Sequence, residues 1–376
     1  MYPIELQLYS PSLREKAGEL RALRFLDSVS KDRILPVLIA LPLSEKENLK
    51  LTLDGLVKRE VGRVQHNWGN RAALWDPQFL VFDQHDAAED GARLEKLLEQ
   101  FSAFRARIIP VIGLREKFHR AAALATYARR TGSGIALRIP FDDIQDYELL
   151  NSTLTNLRVN PEDCVLIADI ADADISEHDE FAKSLVGWLF AFRARGNWSK
   201  IILAGSSFPL KNPAPPMGQA MSPRLEWRLW QWTIGLEPAL RDFVIFGDYG
   251  ADNAHFKFEG GGRPIPHLRY TGELDWFTVR GDTSYSSLRG VSRRVADSSH
   301  FRGADFSEGD EFISNCGAGS VRTADPTMWR AVNMNHHMTS VVVDLADLYR
   351  IKLPTRRKAR LKQADLFDNL PILSRV

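Results

Sequence analysis

Four charged residues stand at or near the ends of short apolar runs, where they could carry chemistry: Asp83, Arg138, Asp169 and Asp248. A charged side chain inside an apolar run is costly to bury unless it is paired. If the runs are parallel strands, their carboxyl ends meet on one face, and these four side chains meet there as well. We expect the aspartates to be catalytic and Arg138 to hold an anionic group of a ligand. The alternative is a set of ion pairs that only holds the strand ends together.

Small hydroxyl residues follow a later apolar run and extend this candidate site. Ser206 and Ser207 come directly after residues 200–205, and such a turn can offer backbone N–H groups to an oxyanion or a phosphate. The two serines are also ordinary turn formers, and no Gly-x-Ser-x-Gly motif accompanies them. They therefore predict an anion cradle and not a nucleophile.

Further along the chain, four more side chains are candidates for binding the ligand. Tyr249 lies between two glycines that allow close approach of the backbone, and Arg269 and Tyr270 lie one predicted strand later. Arg224 begins a predicted helix that carries several tryptophans, which we interpret as core residues. We expect all four to face the same site.

Two adjacent histidines precede a valine run and are predicted to lie on a strand. Neighbouring residues of a strand point to opposite faces, so only one of His336 and His337 can join a given site. We assign His336 as a candidate general base. A purely structural histidine, or a metal held by aspartates and one histidine, are the alternatives. No Cys/His pattern typical of zinc is present, so no metal is predicted, and no motif identifies a cofactor.

Short apolar runs recur along the chain with helix-like stretches between them. Runs that are apolar throughout indicate strands buried on both faces, as in parallel sheets covered by helices. Helical spacing of apolar residues is found at 91–105, 180–195 and 224–232, and 116–129 is alanine-rich. The predicted strands are residues 34–40, 79–83, 107–112, 134–140, 164–169, 200–205, 243–248 and, more weakly, 267–270.

Seven or eight strand–helix units predict an α/β protein with a TIM-like (β/α)8 barrel. An open doubly wound sheet is the alternative. Loops lengthen in the C-terminal half, at residues 208–222 and 259–263. We predict one barrel-like domain over residues 1–350, followed by a basic C-terminal tail over residues 351–376.

Composition excludes several classes of protein. Charged residues make up 26% and apolar residues 44% of the 376 residues, as in ordinary globular proteins. The net charge of +1 argues against nucleic-acid binding, except through the basic tail. The two cysteines, the absence of a signal-peptide pattern and the absence of an apolar run of about 20 residues predict a cytoplasmic protein that does not enter a membrane.

A series of short motifs runs in order through most of the chain. They are Leu35-Pro36, the Asp83 run, Arg138, the Asp169 run, Ser206-Ser207-Phe208-Pro209, Arg224-x-Glu226-Trp227, Gly247-Asp248-Tyr249-Gly250, Arg269-Tyr270-Thr271, Trp276, Arg280-Gly281, Trp329-Arg330 and Asn335-His336-His337-Met338-Thr339. In this order the chain resembles the beta protein family of bacteria and their phages. The resemblance implies a phage or mobile-element setting, beside nuclease-like or toxin-like genes, and a part in phage defence.

Two functions follow from these observations. The first is an enzyme or ligand sensor whose barrel mouth binds an anionic small molecule, such as a nucleotide or phosphorylated compound; an enzyme of this kind would be a hydrolase or lyase. The second is a non-catalytic, antitoxin-like subunit that binds a protein partner from the same defence or mobile-element locus through its basic tail.

Overall fold

The computed structural model describes residues 6–45, 51–171, 173–255, 265–284, 287–321 and 325–355. The strands are β1 (Tyr9–Arg14), β2 (Val37–Ile39), β3 (Ala73–Asp76), β4 (Ile108–Gly113), β5 (Ile135–Pro140), β6 (Cys164–Asp169), β7 (Lys200–Gly205), β8 (Gln219–Pro223), β9 (Val244–Asp248), β10 (His267–Thr271) and β11 (Asp275–Arg280). The helices are α1 (Ala17–Arg24), α2 (Ser28–Lys31), α3 (Leu53–Trp68), α4 (Ala87–Ala103), α5 (Phe118–Thr131), α6 (Tyr147–Leu157), α7 (His178–Arg195), α8 (Leu225–Leu236), α9 (Ser287–Ala296), α10 (Glu308–Ala318) and α11 (Pro326–Leu348).

Eight strands close into a barrel in the order β1-β2-β3-β4-β5-β6-β7-β9. Each neighbouring pair is parallel, and β9 returns to β1 with Tyr9 beside Phe246 and Pro11 beside Asp248. Helices cover the outside because each parallel connection needs a crossover. The predicted TIM-like barrel is confirmed.

Below its last layer the described interior of the barrel is mostly apolar and holds no charged side chain, with Ser10 and Ser12 of β1 as its polar members. On β6, Val165 and Ile167 belong to the inner core, whereas Leu166 packs with the helices outside. Asp169 occupies the next inward position. Arg138 likewise follows the inward Ala136 on β5. The strands therefore turn charged side chains inward only at their carboxyl ends, and we call this end the mouth.

The four predicted helices are confirmed as α4, α5, α7 and α8. On α4 the buried residues Leu94, Leu97, Leu98 and Phe101 form one stripe against the core. The carboxylate of Asp86 accepts hydrogen bonds from the first free N–H groups of this helix, which fixes where α4 begins.

The strand predicted at residues 79–83 is wrong, because the barrel strand is β3, six residues earlier. Residues 79–83 lie in the loop that follows, in which Phe79 is 43% exposed. Side chains hold the backbone of this loop: Asp90 accepts from the N–H of Phe82 at 2.6 Å, and Arg120 donates to the carbonyl of Leu80 at 2.9 Å. The apolar residues 79–82 thus belong to a loop that is held against α4 and α5.

The strand predicted at residues 267–270 exists, but it is not the eighth strand of the barrel. It is β10, which pairs antiparallel with β11 in a separate three-stranded sheet of order β10-β11-β8. The remaining barrel strand is β1, whose apolar pattern is hidden because Ser10 and Ser12 alternate with the outward Tyr9 and Leu13.

The histidine pair lies on a helix and not on a strand, since residues 326–348 form α11. The valine run that suggested a strand is buried there instead, and nearly the whole central part of α11 is inaccessible to solvent. A second apolar core fills the space between α9, α10, α11 and the three-stranded sheet. Among the described residues no helix is both long and apolar enough to cross a membrane. The residues 259–263 and most of the basic tail, 356–376, lie outside the described part of the chain.

Candidate functional site

Four side chains from four strands or strand ends meet at the mouth: Asp76, Arg138, Asp169 and Tyr249, here called the mouth cluster. Arg138 donates from Nε to Oδ2 of Asp76 at 2.9 Å and from Nη1 to Oδ2 of Asp169 at 2.5 Å. The hydroxyl of Tyr249 accepts from Arg138 at 3.2 Å and donates to Oδ2 of Asp169 at 2.6 Å. Parallel strands make this convergence because their carboxyl ends all lie at one rim.

Burial and charge shape the protonation of the mouth cluster. Burial raises the pKa of Asp76, and Arg138 partly offsets that rise. Burial acts against the charge of Arg138, but Asp76, Tyr249 and Asp169 together raise its pKa, so it remains a cation. Burial and the adjacent Asp169 raise the pKa of Tyr249 well above its usual value, which keeps the phenol protonated. Asp169 keeps 12% of its side chain exposed and is the member that a ligand reaches most easily.

Arginines form a second group at the same end of the barrel, around Asp252 in the loop after β9. Arg269 lies 2.6 Å and Arg330 2.8 Å from its carboxylate, and Arg14, the last residue of β1, lies 3.6 Å away. Burial alone would raise the pKa of Asp252, but the three cations together lower it well below its usual value. We call Arg14, Arg269 and Arg330 the arginine group.

The loop that carries Asp252 crosses the mouth from β9 towards β7 and β1. Arg14 donates to the carbonyls of Asn253 and Ala254 at 2.7 and 3.0 Å, and the hydroxyl of Ser206 accepts from the N–H of Ala254 at 3.1 Å. Gly250 starts this loop with φ of +62°, and a Cβ there would approach Met334 Sδ to 2.6 Å. Glycine is thus required for the chain to turn over the mouth.

Asp248 ends β9 but points out of the barrel, away from the mouth cluster. Its carboxylate accepts hydrogen bonds from the hydroxyl of Tyr9 and from Nε2 of His337, the latter at 2.9 Å. Nδ1 of His337 lies 2.9 Å from the hydroxyl of Thr271. Burial lowers the pKa of His337, and Asp248 opposes this effect only in part, so a neutral ring bridges the two residues. These buried hydrogen bonds connect β9 to α11 and have a structural role.

His336 sits in another sealed network, with Asp310, Ser307 and Tyr270. Its Nδ1 faces Oδ2 of Asp310 at 2.8 Å and its Nε2 faces the carbonyl of Thr271 at 3.0 Å. The hydroxyl of Ser340 also lies 3.3 Å from Nε2, so both ring nitrogens have partners inside the network. Although burial acts to raise it, the pKa of Asp310 is lowered by His336 and by the hydroxyls of Ser307 and Tyr270. A ring that is 1% exposed and has a partner on each nitrogen is closed to a ligand, so it does not serve as the predicted general base.

Asp83 lies in a loop and not at the mouth, because the barrel strand β3 already ends at Asp76. Its carboxylate accepts from the N–H groups of His85 and Asp86, each at 2.9 Å. These two bonds lower its pKa as in an ordinary turn. The inward acid on this part of the barrel is Asp76.

Ser207, Arg224 and Glu226 meet beside β7, outside the barrel. Ser207 donates to the carboxylate of Glu226 and accepts from the N–H of Leu225 at 3.0 Å, as the cap of α8. Arg224 is fully buried and lies 3.8 Å from Glu226. Burial raises the pKa of Glu226 to about 7, with Arg224 and Ser207 acting to lower it.

The structure thus brings Arg138, Asp169 and Tyr249 together, and Ser206 and Arg269 lie near them at the mouth. Asp83, Asp248, His336, Ser207, Arg224 and Tyr270 lie elsewhere. The mouth residues that sequence reasoning missed are Asp76, Arg14, Asp252 and Arg330. Two of them have a signal in the sequence: Arg14 ends the alternating pattern of β1, and Asp76 follows a stretch of four apolar residues. In the described ranges, no three His, Cys, Asp or Glu side chains are grouped to hold a metal.

Comparisons with known proteins identify a family and say little of the chemistry. A family model described as Beta protein matches residues 9–343. No match was found among curated proteins. Among solved structures, a protein described as belonging to the dihydrodipicolinate synthase family, from Coccidioides immitis, is 10% identical over 52% of this chain and 67% of its own, with a TM-score of 0.26. The barrel itself is established by the strand pairing of this chain.

Proposed function

The chain belongs to the Beta protein family, and for this member we propose that the barrel mouth binds an anionic small molecule beside a Tyr249–Asp169 pair that can transfer a proton. The observation that carries the proposal is the charged last layer of a barrel interior that is otherwise uncharged and mostly apolar. A buried ion pair adds little stability compared with apolar residues of similar size. Perturbed ionisable groups at the carboxyl end of a barrel are instead typical of a site.

The arginine group, and not Arg138, supplies the positive charge for the ligand. Arg138 is already paired with two acidic side chains, so it has no positive charge left for a ligand. In contrast, three arginines share Asp252, with Glu19 paired to Arg330 at 2.7 Å. Arg269 and Arg330 keep 16% and 24% of their side chains exposed. A phosphate or carboxylate at this end would accept charge-assisted hydrogen bonds from the exposed part of these guanidinium groups.

The Tyr249–Asp169 pair supplies the chemistry. Tyr249 is held as a phenol that donates to Asp169. A proton taken from a ligand or water by Asp169 can be returned through this hydroxyl, as hydrolysis or elimination requires. The proposal extends to the setting that the family resemblance implies, which is phage defence or a mobile element.

An interaction subunit is the alternative function, and it depends on the basic tail. Only residues 351–355 of that tail are among the described residues. The described residues therefore support the mouth-site proposal and offer no observation in favour of the interaction subunit.

Calorimetry with pyrophosphate and AMP as probe anions tests the proposal. We expect Arg269→Gln to weaken binding at least about tenfold, because a hydrogen bond to a charged group contributes about 1.5–3 kcal/mol. Arg71→Gln is the matched control, since Arg71 makes an exposed ion pair with Asp32 just before β3, at the end of the barrel opposite the mouth. Equal binding by wild type, Arg269→Gln and Arg330→Gln, or no binding by wild type, would remove the mouth as an anion site.

A further inference from the structure

The acid that the arginine group shares lies on a loop, whereas the arginines lie on regular elements. Arg14 is the last residue of β1, Arg269 lies on β10 and Arg330 lies on α11. Asp252 follows β9 in the segment 250–255, here called the Asp252 loop, which is neither helix nor strand. The carboxylate that the three arginines share therefore comes from the least regular of the four elements.

Each arginine has a second contact that holds it in place without Asp252. The guanidinium of Arg269 lies over the ring of Phe208, with its Cζ 4.4 Å from the ring centroid. Arg330 is paired with Glu19 of α1 at 2.7 Å. The backbone of Arg14 is paired with β2. The three cations would therefore keep their positions if the carboxylate of Asp252 moved away.

The Asp252 loop is held chiefly by polar contacts. Its apolar side chains are Ala251 and Ala254, which bury little area because an alanine side chain is a single methyl group. Arg14 donates to the carbonyls of Asn253 and Ala254, and Arg269 donates to the carbonyl of Ala251 at 2.9 Å. A segment with few buried apolar contacts opens at a low cost in free energy. The loop is thus fastened by the same guanidinium groups that we assign to the ligand.

One donor of the arginine group is not satisfied by Asp252. Oδ1 of Asp252 accepts from Arg269 and Oδ2 accepts from Arg330, so both carboxylate oxygens are used. Nε of Arg269 is buried and makes no hydrogen bond within the described part of the chain. Buried donors in native proteins nearly always have a partner, so this one points to an acceptor that Asp252 does not supply. A phosphate group has more oxygens than a carboxylate and can reach this nitrogen as well.

We propose that Asp252 occupies the position of the ligand's anionic group, so that the Asp252 loop and the ligand compete for the arginine group. This inference rests on the anion site of the proposed function and adds the regulation of that site. Without a ligand the loop crosses the mouth and its carboxylate neutralises the arginines. A phosphate or pyrophosphate group takes the place of the carboxylate, and the loop leaves the mouth.

Hydrogen exchange of wild type, with and without saturating pyrophosphate, tests the competition. The N–H groups of Asn253 and Ala254 donate to Asp252 and to Ser206. We expect both to exchange at least about threefold faster with pyrophosphate, because a released loop loses these partners. Sodium chloride at equal ionic strength is the control and should leave both rates unchanged. Slower or unchanged exchange with pyrophosphate would overturn the competition, as would equal acceleration by sodium chloride.

Calorimetry of Asp252→Asn with pyrophosphate measures how strongly the loop competes. Asparagine keeps the shape of the side chain but not its charge, so the loop should leave the arginines more often. If the wild-type loop leaves them in about one molecule in ten, apparent binding is about tenfold weaker than binding to the open form, and we expect Asp252→Asn to recover most of that factor.

Asp143→Asn is the matched control for this substitution. Asp143 is also a buried acid paired with an arginine at the carboxyl end of the barrel, 2.7 Å from Arg115. We expect it to change pyrophosphate binding less than about twofold, because it does not share the arginine group. Equal tightening by Asp143→Asn and Asp252→Asn would show a general effect of lost negative charge and overturn the competition.

Failure of the competition and failure of the anion site give different results. No pyrophosphate binding by wild type would remove the site and this inference together. Binding that Arg269→Gln weakens but that Asp252→Asn does not change, with slower exchange in the loop, would keep the site and overturn the competition alone. If Asp252→Asn does not fold, the exchange rates of wild type decide the question.

Discussion

The mouth cluster and the His336 network contain the same kinds of residue but differ in what they leave open. In the network, Asp310 and His336 are at most 1% exposed, and each polar atom at its centre has a partner. At the mouth, Asp169 and the nearby Arg269 remain 12% and 16% exposed. The network is closed to ligands, whereas the mouth is pre-arranged but reachable.

This difference teaches that residue type alone does not distinguish a ligand-binding site from a buried network that only stabilises the fold. Acid–histidine and acid–arginine pairs both have perturbed ionisation, because burial perturbs it wherever it occurs. Solvent access at the carboxyl end of the barrel is what distinguishes the mouth. Substitutions in the two regions should therefore differ in whether stability or ligand binding suffers.

The largest expected effect is in the closed region. Asp310→Asn replaces a carboxylate that faces Tyr270, Ser307 and His336 with an amide and breaks the buried acid–histidine pair, so we expect a loss of about 3–5 kcal/mol in the free energy of unfolding. Urea denaturation measures this loss, with the exposed Asp297→Asn as the control. A cost below about 1 kcal/mol would contradict a structural role.

The same pair predicts a dependence on pH. The folded pKa of Asp310 is lowered, so its contribution is complete above the unfolded value of about 3.9 and is lost as pH falls through the folded value. Below about pH 4, wild type should lose stability more steeply than Asp310→Asn.

Glu226 sharpens the comparison because its pKa is shifted in the opposite direction. Its folded pKa of about 7 lies above the unfolded value of about 4.3, so the folded state is favoured at low pH and loses stability as pH rises between these values. A shift of this size corresponds to on the order of 3 kcal/mol above pH 7. His337 has the opposite dependence near pH 6, so the useful quantity is the difference between wild type and Glu226→Gln.

We expect Glu226→Gln to be more stable than wild type at pH 8 and to lose that advantage by pH 5. Thermal unfolding at a series of pH values measures the difference. An advantage that does not change with pH would show that Glu226 does not titrate in this range.

The barrel could be predicted from the sequence because parallel strands buried on both faces leave near-continuous apolar runs. The convergence of Arg138 and Asp169 follows from the same rule, since each stands at the end of such a run. Asp76 and Arg14 could not be found this way, because β3 is only four residues long and β1 turns two serines inward. Asp252 has no local signal, as its role depends on three arginines from distant parts of the chain.

The histidines show a different limit of local pattern. Val341 and its neighbours have the β-branched side chains that favour strands, yet they lie on α11. Burial around nearly the whole helix, by the barrel on one side and the second core on the other, overrides that preference. A run buried on all sides gives no periodicity to separate helix from strand.

The smallest expected effect is at the open region, where Asp169→Asn should hardly change stability but should alter ligand binding. Asp169 is partly exposed and Arg138 keeps Asp76 as its partner, so we expect a cost of about 1 kcal/mol in the free energy of unfolding. The substitution removes one negative charge from the mouth cluster, so pyrophosphate should bind about two- to fivefold more tightly while any proton transfer through Tyr249 stops. Calorimetry and urea denaturation on the same protein measure both quantities. Weaker pyrophosphate binding, or a loss of stability as large as that of Asp310→Asn, would make the mouth cluster a structural support like the His336 network. At a site that a ligand reaches, removing a charge changes ligand binding more than it changes the free energy of unfolding.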